Sequence, residues 1–443
     1  MKLILACLAI TFALVTPARA QVEIGFGPNP RSHDNLEMWN YASGWHRDRW
    51  NALRSAGVTR IDLNSTFLLR HFIERETQSA WEVRPTRTYL TAPQFAQMKD
   101  MVNIGGFQFS YIGGLGLAAN RCHDIAADPV AGGQTAASVE FNNVLLPMLN
   151  NNVKVHELNV DGPFLRLIDG SQKGFSCSKI PVSLDTNQTV AAVDAYLKKM
   201  VALLGAHPIQ AGITPDVVLT INLPNWKVGA RARVFDPGPG DIDLITVLDA
   251  FDAYRDGHGH NPKIHKLKID YPYCYVQSVS PCTSGGATLQ RDIFADKIIG
   301  LWDHTREING AGLVAPNLSV AVNTHKAADS CVETDTLYPH FLVYRACTPP
   351  PSDPGSGICP ASSAWIEPEW SCYSDSIQIV DPDFFQKSAD FADELQPGGA
   401  LTGLIDTRSA SAGITIDRLI FHAWGEVPWS NQWYRDRVTQ YAD

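Results

Sequence analysis

Short apolar runs recur along the chain, and stretches with helical periodicity lie between them. The strand candidates are Val22–Gly27, Val58–Asn64, Phe107–Ile112, Val153–Asp161, Val217–Leu223, Ile264–Tyr271, Leu318–His325 and Arg418–Trp424. Helical patterns lie near Trp45–Ala56, Ala92–Val102, Val139–Asn150, Val190–Leu204, Ile242–Asp256, Leu289–Glu307, Phe384–Leu395 and Trp429–Tyr441. Gly57, Gly205 and Gly257 follow three of these where a C-terminal stop is expected. Alternation at this spacing predicts parallel βα units, and eight of them predict an α/β fold of the (β/α)₈ TIM-barrel type. An open doubly wound sheet is the competitor. It usually carries a Gly-rich phosphate turn after its first strand. Here the first strand runs into Pro28-Asn29-Pro30, where two prolines spoil both the fingerprint and a helix start.

Barrel strands send alternate residues to the helix layer and to the barrel axis. In strand seven the leucine and valines suit the helix side, so Ser319, Ala321, Asn323 and His325 turn inward. The same parity turns Arg60, Asp62 and Asn64 inward on strand two, Thr220 and Asn222 on strand five, and Lys268 and Asp270 on strand six. Strand eight offers His422 and Trp424, with Glu426 just beyond. Strand four places Val153 and Val155 in the barrel core, and Glu157, Asn159 and Asp161 continue that parity toward the C-terminal mouth. Ionised carboxylates in an apolar barrel would cost several kcal/mol each unless partnered. A rim of this composition is therefore a hydrogen-bonded network or a site, and sites of this fold lie at the C-terminal mouth.

The N-terminus is a separate matter. Met1-Lys2, the apolar run Leu3 to Val15 and Ala18-Arg19-Ala20 read as a secretory signal, so the mature chain is expected to start at Gln21 in a periplasm or outside the cell. Residues 21–443 then form one domain. The whole chain has a net charge of −10, and the signal removes only the cations Lys2 and Arg19. So acidic a protein repels phosphate and suits neither nucleic acid nor an anionic membrane. A neutral partner fits better. Nine cysteines less Cys7 leaves an even set, Cys122, Cys177, Cys274, Cys282, Cys331, Cys347, Cys359 and Cys372, for which disulfides are the expectation in an exported protein. Nearest-neighbour logic favours 274 with 282, 331 with 347 and 359 with 372, leaving 122 with 177. Residues 327–375 hold four of them around a proline-rich stretch from Thr348 to Gly355, an expected stapled loop over the C-terminal face. A second long connection, Leu68–Thr91, follows strand two.

Two carboxyl groups across a pocket are what glycosidic cleavage needs: one protonates the leaving oxygen, the other attacks or activates water. Asn and His donors hold sugar hydroxyls, and a Trp face takes the apolar side of a pyranose. The expected catalytic residues are Asp161 or Glu157 with Asp270, and Glu426 stands in reserve. The expected carbohydrate contacts are Asn64, Asn159, Asn222, Trp226, Lys268, Asn323, His325, His422, Trp424 and Glu426. No cofactor or metal is required by this chemistry.

The segment His156-Glu157-Leu158-Asn159-Val160-Asp161-Gly162-Pro163 resembles the strand-four segment of retaining clan A glycoside hydrolases, commonly written W-E-L-x-N-E-P. The resemblance implies an acid/base at the Glu after Asn and a nucleophilic Glu ending strand seven. Two departures matter. Asp161 stands one place late, and strand seven ends Asn323-Thr324-His325 without a carboxylate, so that clan's mechanism does not carry over intact. Leu267-Lys268-Ile269-Asp270-Tyr271 is similar to the L-K-x-D strand end of clan D enzymes such as α-galactosidases, where the Asp is the nucleophile and the Lys a substrate contact. There the motif ends strand four; here it ends strand six.

Plainer readings stand beside these. Glu157 can pair with Lys268 or Arg60 inside the barrel, Asp161 can cap the turn before Gly162-Pro163, and Trp226 and Trp424 can be packing. A metal-dependent hydrolase using His325, His422, Asp270 and His156 is the rival enzyme class, although no H-E-x-x-H or strand-one H-x-H spacing is present. A non-catalytic carbohydrate-binding barrel is the third. No G-x-S-x-G elbow occurs, which argues against a standard esterase.

Overall fold

The computed structural model describes residues 22–29, 37–68, 74–76, 81–83, 90–114, 116–117, 122–168, 184–229, 243–277, 287–305, 308–310, 315–322, 347–348, 364–365, 385–409, 414–422 and 431–443. Eight strands form a closed barrel: β1 (Glu23–Gly27), β2 (Arg60–Asn64), β3 (Gln108–Gly113), β4 (Glu157–Asp161), β5 (Asp216–Asn222), β6 (Ile264–Asp270), β7 (Asn317–Val322) and β8 (Ile416–His422). Each pairs in parallel with its sequence neighbours, and β8 closes on β1. The expected (β/α)₈ architecture is therefore present, and the open sheet is excluded.

The outward residues explain why these runs form strands. Ile24, Phe26, Ile61, Leu63, Phe109, Leu158, Val160, Leu219, Leu267, Ile269, Val320 and Phe421 are all buried against the helix layer. Each contributes about 1.5–3 kcal/mol by leaving water. The helices covering them include α1 (Gly44–Ser55), α2 (Ala92–Asn103), α3 (Pro129–Glu140), α4 (Thr186–Ala206), α5 (Leu244–His258), α6 (Ala287–Thr305), α7 (Ala400–Arg408) and α8 (Asn431–Ala442). Capping boxes start two of them: Thr91 with Gln94 for α2, and Asp185 with Gln188 for α4. Among the described residues no helix is long and apolar enough to cross a membrane.

Several expected boundaries move. Val153 and Val155 are buried as expected, but β4 begins only at Glu157; the side-chain amide of Gln210 holds both backbone groups of Val155. The helix expected from Val139 begins at Pro129, ten residues earlier, and continues through a π turn at Phe141–Leu145 to Asn150. Gly205 and Gly257 lie inside α4 and α5 and end neither. Of the three glycines read as stops, Gly57 alone has the left-handed backbone, at φ +94°; Gly259, at φ +88°, closes α5 instead. Cys274 is disulfide-bonded, while the four pairings expected from spacing lie outside the described residues. Of the 327–375 loop, only a two-residue pairing of Cys347–Thr348 with Ala364–Trp365 is described. The connection after β2 carries a hairpin of Glu74–Glu76 with Trp81–Val83.

The barrel axis is unusual in its polarity. In this fold the interior is ordinarily filled by layers of four side chains from alternate strands, dominated by Val, Ile and Leu. Register sorts the inward residues of the even strands into three such tiers. The lower tier is Arg60, Glu157, Lys266 and Arg418. The middle tier is Asp62, Asn159, Lys268 and Ile420. The upper tier is Asn64, Asp161, Asp270 and His422. One apolar residue in twelve positions means that ion pairs and hydrogen bonds hold this lumen.

Candidate active site

The lower tier is a closed ion network. Glu157 is fully buried; its Oε2 lies 2.7 Å from Arg418 Nη1 and 3.3 Å from Arg60 Nη1, and its Oε1 accepts from Ser110 Oγ at 2.8 Å. The same two arginines reach Glu23, at 2.7 Å from Arg418 and 3.3 Å from Arg60. Burial opposes the Arg418 charge, and Glu157 and Glu23 more than restore it, so its pKa rises. Both Glu157 oxygens are thus engaged two tiers below the mouth, which favours its plainer reading as an ion-pair partner. Arg60 was expected in that role; Arg418 was not.

Lys268 sits in the middle tier, almost fully buried, and donates to Asp62 Oδ2 at 2.6 Å. It therefore pairs with Asp62. Asn159 accepts from Thr220 Oγ1 of the neighbouring strand at 2.6 Å. Asp62 Oδ1, Asn159 Nδ2 and Ser319 Oγ are buried without a hydrogen bond among the described residues. This makes the middle tier a polar well beneath the mouth.

The upper tier brings four of the expected residues together: Asn64, Asp161, Asp270 and His422 at the C-terminal ends of β2, β4, β6 and β8. Asp161 and Asp270 are neighbours in this tier. Register sets Asp161 opposite Lys268, so Asp270 lies two strand spacings across and two residues further along, roughly 10–12 Å between backbones, and both residues have the inward parity. Carboxyl separations of about 5–9.5 Å serve glycosidic cleavage. Asn222, one strand over, donates its amide to Asp270 Oδ2 at 2.8 Å. The His422 ring lies against β1, where a Cβ on Gly27 would come within 2.4 Å of it. Only glycine admits that approach.

A support unforeseen from the sequence stands behind Asp161. Glu140, at the end of α3, is fully buried; it accepts from Tyr111 Oη at 2.7 Å, Gly114 N at 3.0 Å and Gly116 N at 2.8 Å, and Tyr196 adds a further hydroxyl contact. Burial raises its pKa, and these donors work in the opposite direction. They tie down the chain after β3, where Gly114 has φ +100° and lies beside the Asp161 backbone, 3.5 Å from an added Cβ. A lone Glu among small residues of an apolar helix was the available signal.

Trp226 is only 3% exposed within the hydrophobic core, so its ring offers no face to a sugar and belongs to packing. Asn323, His325, Trp424 and Glu426 lie outside the described residues. His156, a ligand in the rival metal reading, precedes β4; its Nδ1 accepts from the Phe109 amide at 3.2 Å, on the side opposite the mouth. No protein-family model matches the chain, and no curated protein is similar enough to match it.

Proposed function

We propose that the chain is a secreted glycoside hydrolase that cleaves a poly- or oligosaccharide, with Asp161 and Asp270 as its carboxylate pair. The observation that carries this reading is the upper tier, with two aspartates on alternate strands at the mouth among Asn64, Asn222 and His422. The amide donated by Asn222 suits a group that works as the carboxylate, which makes Asp270 the nucleophile or base. Asp161, braced by the Gly114 turn, is then the acid that protonates the glycosidic oxygen. Asn64 and His422 would hold sugar hydroxyls, and the polar middle tier would keep the floor of the pocket hydrated. Glu157 is left out of the pair because its oxygens serve arginines. The signal-like segment 1–20 and the acidic charge support export and a neutral substrate.

The test is release of reducing ends from a panel of soluble polysaccharides by the mature protein, with and without chelator. Asp161→Asn and Asp270→Asn are each expected to lower release by about 10²–10⁴-fold, the range of acid–base catalysis, with folding kept and chelator without effect. Release that survives both substitutions, or that chelator stops, would overturn the reading. Retention of a polymer without cleavage would make the barrel a binding module.

A further inference from the structure

The barrel face opposite the mouth carries a second cluster. α5 runs from the C-terminal end of β5 back to the N-terminal end of β6, and its last turns bear Asp252 and Asp256. A spacing of four residues puts both carboxylates on one helix face. Gly259, with its left-handed backbone, then turns the chain so that His260 comes round against them. One oxygen of each Asp and a ring nitrogen of His260 lie within 4.8 Å of one another. No other such group of three His, Cys, Asp or Glu occurs among the described residues.

The distances within the cluster match the spacing of ligands around a shared cation. His260 Nε2 is 3.3 Å from Asp256 Oδ1 and 3.5 Å from Asp252 Oδ1. The nitrogen is buried yet makes no hydrogen bond. Charge-assisted N–H···O bonds are shorter, about 2.7–2.9 Å. Ligand bonds of about 2.0–2.2 Å to a tetrahedral ion give polyhedron edges of about 3.3–3.6 Å, and both separations fall there. The ring is held from behind by Gly310, where an added Cβ would stand 3.1 Å from its Nδ1. Two carboxylates in the last turns of a helix also oppose its dipole, which a cation would offset.

We propose that Asp252, Asp256 and His260 form a binding site for a divalent cation of the zinc class, completed by water. On this fold the N-terminal face is where structural features lie. The site would clamp α5 to the turn that enters β6, and it is independent of the glycosidase reading.

Chelator-stripped, tag-free mature protein is titrated with Zn²⁺ by calorimetry and with Co²⁺ by visible absorption. The wild type is expected to take one Zn²⁺ at this site, to give the intense bands of tetrahedral cobalt, and to melt at a higher temperature when loaded. His260→Ala and Asp256→Asn should each weaken binding at least about 10-fold and abolish those bands. Asp256 is 66% exposed, so its variant carries the test should His260→Ala fail to fold. Zinc binding unchanged in the variants, or none in the wild type up to millimolar Zn²⁺, would overturn the proposal and leave the cluster as a contact of His260 with two carboxylates.

Discussion

The floor and the mouth of this barrel are built from similar polar side chains on the same strands, two tiers apart, and they use them differently. At the floor, Glu157 is enclosed by Arg60, Arg418 and Ser110, and nothing from solvent reaches it. At the mouth, Asp270 takes a neutral amide from Asn222 and is partly exposed, and Asp161 stands beside a glycine turn. A carboxylate whose charge is already offset by two guanidinium groups has little left to offer a substrate. A carboxylate that accepts a neutral amide and reaches solvent is the kind that the proposed hydrolysis needs. The difference teaches that the tier, more than the residue type, decides what a polar side chain does here.

Removing Glu157 strikes the floor alone and should have the largest effect. Glu157→Ala leaves the buried Arg60 and Arg418 with only the partly exposed Glu23 between them, and urea unfolding should show a loss of about 3–5 kcal/mol. Sugar release per folded molecule should stay close to the wild type, which separates floor from mouth. Asn222→Ala acts at the mouth instead. It removes a hydrogen bond to a charged group worth about 1.5–3 kcal/mol, so kcat should fall about 10- to 100-fold, and the urea midpoint should drop less than for Glu157→Ala. Gly27→Ala pushes a methyl into the His422 ring. It should cost about 1–3 kcal/mol of stability by overpacking, with a rise in KM if His422 holds substrate.

The smallest effect concerns pH. Burial, aided by Arg60 and Lys154, lowers the His156 pKa from its ordinary 6.5 to about 4. Above pH 6.5 the ring is neutral in the folded and unfolded chain alike. Between 6.5 and about 4 the unfolded chain binds a proton that the fold refuses, so stability falls as pH falls. His156→Gln keeps an acceptor for the Phe109 amide and removes that titration. Urea unfolding at pH 7 and pH 4.5 should show the wild type losing about 1–2 kcal/mol more than the variant. Equal losses would remove His156 from the account of acid sensitivity.

All eight barrel strands were legible from their alternation, because the helix-facing positions are so uniformly Val, Ile, Leu and Phe. The upper tier followed from the same parity, since Asn64, Asp161, Asp270 and His422 each end an even strand. Carried back along β8, that parity also reaches Arg418, the partner that Glu157 takes. Lys268, the other expected partner, lies one tier higher and meets Asp62. Helix starts were less legible where packing overrides propensity. Gly132 and Gly133 are poor helix formers, yet an added Cβ on Gly133 would stand 2.3 Å from the Ala192 carbonyl of α4. The residues that weaken α3 as an isolated helix are those that let it dock. Helix α7 has no counterpart among the expected helical patterns; Gly398 and Gly399 stand just before it and Gly403 lies within it. Glu140 shows in the sequence only as a lone acid in an apolar helix, and the Gly114 and Gly116 amides that it holds leave no side-chain pattern.

The lower tier also bears on how the barrel comes together. Its charges are drawn from the first strand, the second, the fourth and the last: Glu23, Arg60, Glu157 and Arg418. A nascent chain lacking β8 has two of its carboxylates waiting for an arginine that has not yet arrived. Half-barrels, the ordinary building blocks of this architecture, would then each carry uncompensated charge along what must become their core. Closure should accordingly be all-or-none, and cutting the chain before residue 416 should leave no independently stable half.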